Sequence, residues 1–354
     1  MIKPQAISGF YENLPENQII EDNYKEIIRK NYNKSWFVSI DTPAVERLEV
    51  LVSKWADDSE IYWLHRIHDE EKKEASLGLR FDLTVPLARY IVQYEWELTF
   101  PFKRQQIGRV YRWERPQKWR YREFYQADVD IIWNWKLPLF ADVEILSTIY
   151  NSLKELNFWN FVIHINNKKL LVWFLENIWI EDIVKTIWII DKKDKVKTIV
   201  PILKDSWIND KQINSILDLI KISEGKTGKE ILEYFWNIEN ETLKNGIEEL
   251  SYVYNNLIIL WIKEKNLKIN SSISRWLNYY TGTVFETFIV WAENMWSIAS
   301  WGRYENLASN FTKNNFPWVW WSIWLSRLLA VLNSLWVIKA ETKTVSQVMF
   351  VNMW

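Results

Sequence analysis

Apolar residues return at helical spacing near the start of the chain, where Ile19, Ile20, Tyr24, Ile27 and Ile28 mark one face of a helix over residues 16–32. A second helix is expected from about Ala44 to a stop at Lys54-Trp55. Between Leu77 and Tyr90 alternation gives way to helical spacing, with Pro86 suited to a first turn, where a missing N–H removes no intrahelical bond. Residues 100–133 predict two long strands joined by the polar loop Arg115-Pro116-Gln117-Lys118-Trp119. A helix follows Pro138 as far as about Asn157, then a strand over 161–165. From 167 to 265 Lys, Glu, Ile and Leu recur at helical periodicity with few strand signals, which predicts a helical insertion. Strand patterns return from 271 and end in a helix over 326–334, and the apolar run 346–354 opens a further strand.

Composition changes the reading of one letter. The chain of 354 residues holds 25 Trp beside 8 Gly, whereas glycine makes up about 7% of an ordinary domain. Taken together, the two letters make a normal glycine complement with little left over for tryptophan. Four predicted helix ends read Asn177-Ile178-Trp179-Ile180, Asp205-Ser206-Trp207-Ile208, Ile259-Leu260-Trp261-Ile262 and Ser334-Leu335-Trp336-Val337. Each puts Trp where a residue with φ > 0 closes a helix, followed by an apolar β-branched residue that folds back. The run FPWVWWSIWLSRL, residues 316–328, reaches Arg327 well short of the roughly 20 apolar residues that a membrane span needs. We therefore read most Trp letters as glycine positions, as arises when UGA codons that the source organism decodes as glycine are translated as tryptophan. Residue names are kept as the sequence gives them.

The length suits about two domains. The net charge of -1 creates no global field for nucleic acid. With no cysteine, disulfides, thiolate nucleophiles and Cys-based zinc sites are excluded. His65 and His68 are a thin metal signal and are read as a solvated pair. The first residues lack a basic segment followed by an apolar core, so no secretory signal is expected, and the protein reads as cytoplasmic with no membrane association.

The chemistry concentrates in FKRQQIGRVYRWERPQKWRYREFYQADVDII, residues 102–132. Eight basic side chains (Lys103, Arg104, Arg109, Arg112, Arg115, Lys118, Arg120, Arg122) stand there against one acid, Glu114, up to position 122. With period two, Arg122, Phe124, Gln126, Asp128 and Asp130 share one face of the second strand, and Tyr125, Ala127, Val129 and Ile131 take the other. A plain core face would not carry two carboxylates, an amide and a cation without partners. The set suits a nucleotide beside an amino acid: arginine forks for phosphate, an aromatic platform for a base, carboxylates for ammonium or imidazole.

This segment resembles motif 2 of the class II aminoacyl-tRNA synthetases in its histidyl form, R-G-E-R-P-Q-x-G-R-x-R-E-F-x-Q, with Trp113 and Trp119 at glycine places. Further likenesses span almost the whole chain. FVSIDTPAVERLEVLVSKW (37–55) is similar to motif 1, which makes the family's dimer interface, and LRFDLTVPLAR (79–89) to its histidine-binding loop. SRWLNYYTGTVFE (274–286) and SIASWGRYENL (297–307) resemble the two histidine signatures, and 316–328 resembles motif 3. Trp276, Trp301, Trp318, Trp320 and Trp321 also fall where that pattern has glycine.

The resemblance implies an α+β fold: an antiparallel sheet flanked by helices, with a helical insertion. It divides the chain into a first catalytic part (1–166), the insertion (167–265), a second catalytic part (266–340) and the start of a truncated anticodon-binding domain (341–354). It implies a ligase that activates histidine with ATP and Mg²⁺ and passes it to tRNA(His), acting as a homodimer. Arg112 and Arg275 are the implied catalytic arginines, bridging the α-phosphate and the histidine carboxylate. The implied histidine pocket adds Asp82, Thr84 and Gln126 around the α-amino group, and Asp130, Tyr279 and Tyr280 towards the imidazole. ATP falls to Arg112, Glu114, Arg120, Phe124 and Arg327, and no protein ligand for a metal is assigned. Lys192, Lys193, Lys195 and Lys197 could lean on the tRNA acceptor stem. The alternative is the regulatory subunit of ATP phosphoribosyltransferase, which shares the fold without aminoacylating.

Overall fold

A computed structural model describes residues 2–52, 58–65, 68, 76–158, 160–193, 196–238, 240–273, 280–292, 295–305, 307–339 and 344. The first amphipathic segment forms α1 (Pro15–Lys34), with proline in its first turn and Tyr24, Ile28 and Tyr32 buried. After β1 (Val38–Ser39) and β2 (Val45–Arg47) comes α2 (Leu48–Leu51). The long second helix expected from Ala44 is therefore a correction: Val45, Glu46 and Arg47 pair as a strand, and four residues are helical. Lys54 and Trp55 lie outside the described residues. β3 (Trp63–Leu64) and β4 (Leu77–Leu79) complete a small sheet in the order β2-β4-β3. α3 (Thr84–Gln93) carries Pro86 in its first turn, and β5 (Phe102–Tyr111) and β6 (Glu123–Ile132) form the long hairpin.

α4 (Phe140–Leu156) and β7 (Phe161–Asn167) follow. Six helices then occupy 168–259: α5 (Lys168–Asn177), α6 (Ile183–Asp191), α7 (Val200–Asp205), α8 (Asp210–Lys221), α9 (Gly228–Trp236) and α10 (Glu241–Ile259). Their starts are written locally. Asp182, Asn209, Thr227 and Asn240 each accept a backbone N–H, and Gln212 and Glu230 reciprocate as capping boxes. α5 and α10 lie against β7 and β9 rather than apart from the sheet. The chain closes with β8 (Leu267–Ile269), β9 (Tyr280–Ile289), β10 (Ala299–Tyr304), β11 (Trp318–Ile323) and α11 (Leu325–Ser334).

Eight strands make the main sheet in the order β1-β5-β6-β11-β10-β9-β7-β8, antiparallel except at its two outer pairs. Ala127, Val129 and Ile131 of β6 share one core with Ile28 of α1 and with Ile145 and Ile149 of α4. Each of the Val and Ile side chains, fully buried, contributes about 1.5–3 kcal/mol. The opposite face carries Trp318 and Trp320 against Leu87, Ala88 and Ile91 of α3. Arg303 on β10 ties the layers together: it donates to Asp142 Oδ2 at 2.5 Å and to the carbonyls of Leu137 and Pro138 at the start of α4.

Eight described tryptophans adopt positive φ: Trp36, Trp119, Trp179, Trp207, Trp261, Trp291, Trp296 and Trp336. At the four helix ends φ is 59°, 63°, 64° and 58° for Trp179, Trp207, Trp261 and Trp336. The residue after each donates back into the last turn, Ile180 to Leu175, Ile208 to Leu203, Ile262 to Leu257 and Val337 to Leu332, which is the Schellman arrangement. The indoles themselves contribute no packing; Trp207 is 96% exposed and Trp261 89%. Only the backbone conformation is used there, and a Cβ opposes it by about 1–2 kcal/mol. Trp261→Gly is expected to stabilise the chain by about 1 kcal/mol in urea denaturation. Trp261→Ala, which keeps a Cβ, serves as the control, and equal gains from Gly and Ala would show that φ is not the cause.

Candidate active site

The loop after β5 and the N-terminus of α11 bring five of the predicted residues around one space. Arg112, just after β5, donates its Nε–H to the Phe81 carbonyl at 3.0 Å, and its guanidinium lies 5.3 Å from the Phe124 ring centre. Glu114 and Arg120 form an ion pair within the loop. Burial alone would raise the Glu114 carboxyl, but its hydrogen bond to Arg120 and the charge of Arg112 hold it below the usual range. Arg327, in the first turn of α11, donates to the Ser297 carbonyl at 3.0 Å. Arg112, Glu114, Arg120, Phe124 and Arg327 line a single cavity with Trp119, Tyr121 and Trp324.

Trp324 dominates that cavity. Its ring is stacked on Phe124 at 5.8 Å and 22°, and the Arg327 guanidinium covers it at 3.8 Å. The free space left is ≈ 10 Å³, no more than one water requires.

A second group lies deeper, on the face of β6 that alternation assigned. Asp130 is fully buried and ion-paired with Arg104 Nε at 2.8 Å. Its other oxygen accepts the indole N–H of Trp318 at 3.1 Å. Tyr280 joins through a row of rings, 6.5 Å from Tyr304, which is itself 5.0 Å from Trp318. Asp82 accepts the backbone N–H groups of Thr84 and Val85 at 3.1 and 2.9 Å, and so caps α3. Burial raises its carboxyl in spite of those bonds and of Arg112. Gln126 donates to Ser322 Oγ at 3.2 Å. The Thr84 hydroxyl, Gln126 Oε1 and both oxygens of Asp128 are buried without a hydrogen-bond partner. Such orphaned atoms are costly in a finished core and are what a polar substrate would satisfy. Burial pushes Asp128 up to about 8, with Arg104 opposing and Asp130 adding to the rise. Burial pushes Asp130 up to about 7, again against Arg104.

Arg275, Trp276 and Tyr279 lie outside the described residues. Just before them Asn166 donates to the carbonyls of Ser271 and Ile273 at 3.1 and 2.8 Å. Two further residues matter that sequence reasoning gave no role. Arg104 was one of eight cations, and Asp128 was only placed on the face. Their significance depends on the hairpin register, which sets Arg104 opposite Asp130. Among the described residues no three carboxylate or imidazole side chains converge as a metal cage. No helix there is long and apolar enough to cross a membrane.

Comparison with known proteins agrees with this arrangement. The family model described as Histidyl-tRNA synthetase matches residues 9–328. A histidine–tRNA ligase of Finegoldia magna is 42% identical, over 96% of this chain and 79% of that one. A crystal structure of histidyl-tRNA synthetase from Nostoc sp. PCC 7120 superposes with a TM-score of 0.90 at 36% identity, covering 100% of this chain and 81% of that chain. A Bacillus halodurans structure described as an ATP phosphoribosyltransferase regulatory subunit/histidyl-tRNA synthetase has a TM-score of 0.77 at 21% identity, a likeness of fold alone. The chain belongs to the histidyl-tRNA synthetase family.

Proposed function

We propose that the chain joins histidine to tRNA(His) in two steps at this one cleft, first forming histidyl-adenylate from histidine and ATP and then passing the histidyl group to the tRNA 3′ end as AMP leaves. The observation that carries the assignment of roles is that two indoles already imitate the substrates. Trp324 is a flat bicyclic ring held between Phe124 and the Arg327 guanidinium, where an adenine would sit. Trp318 offers a ring N–H to Asp130, as an imidazole would. With glycine at Trp318, Trp320 and Trp324 both places are vacated, and the backbone can approach the bound base.

In the first step the histidine carboxylate attacks the α-phosphorus and pyrophosphate leaves. A carboxylate nucleophile needs alignment and charge stabilisation rather than proton removal. Arg112 supplies a fork for the α-phosphate, Arg120 and Arg327 face the rest of the nucleotide, and Arg275 is assigned the bridge from carboxylate to phosphate. Asp82, Thr84 and Gln126 take the α-ammonium, and Asp130 with Tyr279 and Tyr280 reads the side chain. A buried carboxylate rejects amino acids that leave it unpaired. Among the described residues no protein donors form a cage for magnesium, and Mg²⁺ would enter with the phosphates of ATP, whose charge it would offset. The regulatory alternative loses support because the phosphate-facing arginines line the cleft and the curated relatives at 35–42% identity are histidine–tRNA ligases.

We further propose a homodimer through the motif 1 region, where Val38 on the outermost β1 is exposed, and a cytoplasmic location. We assign the tRNA acceptor stem to the insertion lysines Lys192, Lys193, Lys195 and Lys197. Lys192 packs over the Trp188 ring at 3.1 Å, and Lys195 is outside the described residues.

With glycine at positions 113, 119, 276, 301, 318, 320, 321 and 324, histidine-dependent ATP–pyrophosphate exchange is expected to appear, and Arg112→Ala to reduce its kcat by about 10²–10³. Equal exchange from the tryptophan-bearing chain would overturn the imitation. A buried carboxyl makes a second, pH-dependent prediction. Asp128 keeps its proton in the fold up to about 8, whereas an unfolded Asp loses its proton near pH 4. Its contribution to stability is therefore full below about pH 4 and is lost as pH rises through 8. Asp128→Asn is expected to gain stability relative to the parent between about pH 5 and 9, read as the urea midpoint. A difference that stays constant over that range would refute the shift.

A further inference from the structure

Motif 2 and motif 3 are joined by a chain of hydrogen bonds that leaves the cleft and ends on a buried carboxylate of α1. β11 stops pairing with β6 at Ile323 and Ala127, so the backbone N–H of Tyr125 has no strand partner on that side. It donates instead to Ser326 Oγ at 2.8 Å. Ser326 Oγ is 2.8 Å from the Tyr11 hydroxyl, which is 2.9 Å from Glu21 Oε2. Each hydroxyl has one proton, and the carboxylate can only accept, so the polarity is determined. Tyr125 N–H donates to Ser326, Ser326 to Tyr11, and Tyr11 to Glu21.

Glu21 is 2% exposed and collects two more donors, Asn13 Nδ2 at 3.0 Å and Lys25 Nζ at 2.7 Å. Burial and Glu21 hold the Tyr11 phenol protonated, far above its usual range. The N-terminal segment is seated independently of Tyr11, because the Gly9 carbonyl accepts the N–H of Arg122. Gly9 has φ +87°, and a Cβ there would lie 2.9 Å from Arg122 Cγ.

Two neighbouring members of this relay are each one residue away from the cleft. Tyr125 lies between Phe124 and Gln126, and Ser326 precedes Arg327. We propose that Tyr11, Ser326 and Glu21 are positioning residues for ATP: the relay sets the distance between the Phe124 platform and the Arg327 guanidinium that close on the base from either side. This rests on the ligase reading above. Neither Tyr11 nor Ser326 touches the substrate, and the effect passes through the β6 and α11 backbones.

The test uses the full chain with glycine at every motif position that holds tryptophan, 113, 119, 276, 301, 318, 320, 321 and 324, assayed by histidine-dependent ATP–pyrophosphate exchange. Tyr11→Phe, which keeps the ring and removes one hydrogen bond, is expected to raise KM for ATP about fivefold while KM for histidine stays within about twofold. Ser326→Ala is expected to do the same, and the double variant to be no worse than either single one, because the chain is broken once. Additive losses, equal changes in both KM values, or a fall in kcat at unchanged KM for ATP would each overturn the relay and indicate general loosening of the fold. Exchange absent from the parent itself would instead overturn the ligase reading, and the relay with it.

Discussion

Arg104 and Asp130 are both excluded from solvent, and they face each other across the β5–β6 hairpin at 2.8 Å. Either charge alone at that depth would be strongly destabilising. The pair therefore selects one hairpin register. A slip of one residue would turn Gln126, Asp128 and Asp130 into the hydrophobic layer under α1 and α4. The same guanidinium donates to the Leu83 carbonyl at 3.1 Å, which secures the turn that carries Asp82 and Thr84. Two walls of the polar pocket thus depend on one cation.

Around that pair the two long strands have opposite chemistry on their two faces. One face packs Ala127, Val129 and Ile131 into the largest core. The other holds carboxylates and amides with unmet hydrogen-bonding capacity. An interior of this kind is stable only if the apolar layer behind it is large, and here helices α1, α4 and α11 supply it. Rigidity also serves the chemistry, since a phosphoryl centre rewards donors that need no rearrangement during reaction.

The tryptophans act in two separable ways. At the helix ends they oppose a backbone conformation while their rings point into solvent, so the conflict is local and steric. In the cleft the conflict is one of volume: Trp318 and Trp320 are fully buried, and Trp324 fills the space between Phe124 and Arg327. Glycine resolves both, once by tolerating φ > 0 and once by having no side chain. A single substitution rule accounting for two unrelated physical problems is the main argument for reading these positions as glycine.

Much of the architecture was legible from local pattern. Period two over 100–133 located β5 and β6 and sorted the faces of β6, and the stops at Trp179, Trp207, Trp261 and Trp336 located four helix ends, because alternation and chain reversal are written within a few residues. The motifs named the family and five residues that line one cavity. Where pairing across the chain decides, the sequence was silent or misleading. Val45–Arg47 read as helix because its partner strand lies thirty or more residues away at Leu77–Leu79. Arg104 was indistinguishable from seven other cations until the register put it on Asp130. Ser326 and Tyr11, 315 positions apart, meet only because α11 and the N-terminal segment cover the same edge of β6. Local sequence sets the propensity and exposure of each element, while partners for buried polar groups are assigned by which elements come to lie side by side, and that is a property of the whole fold.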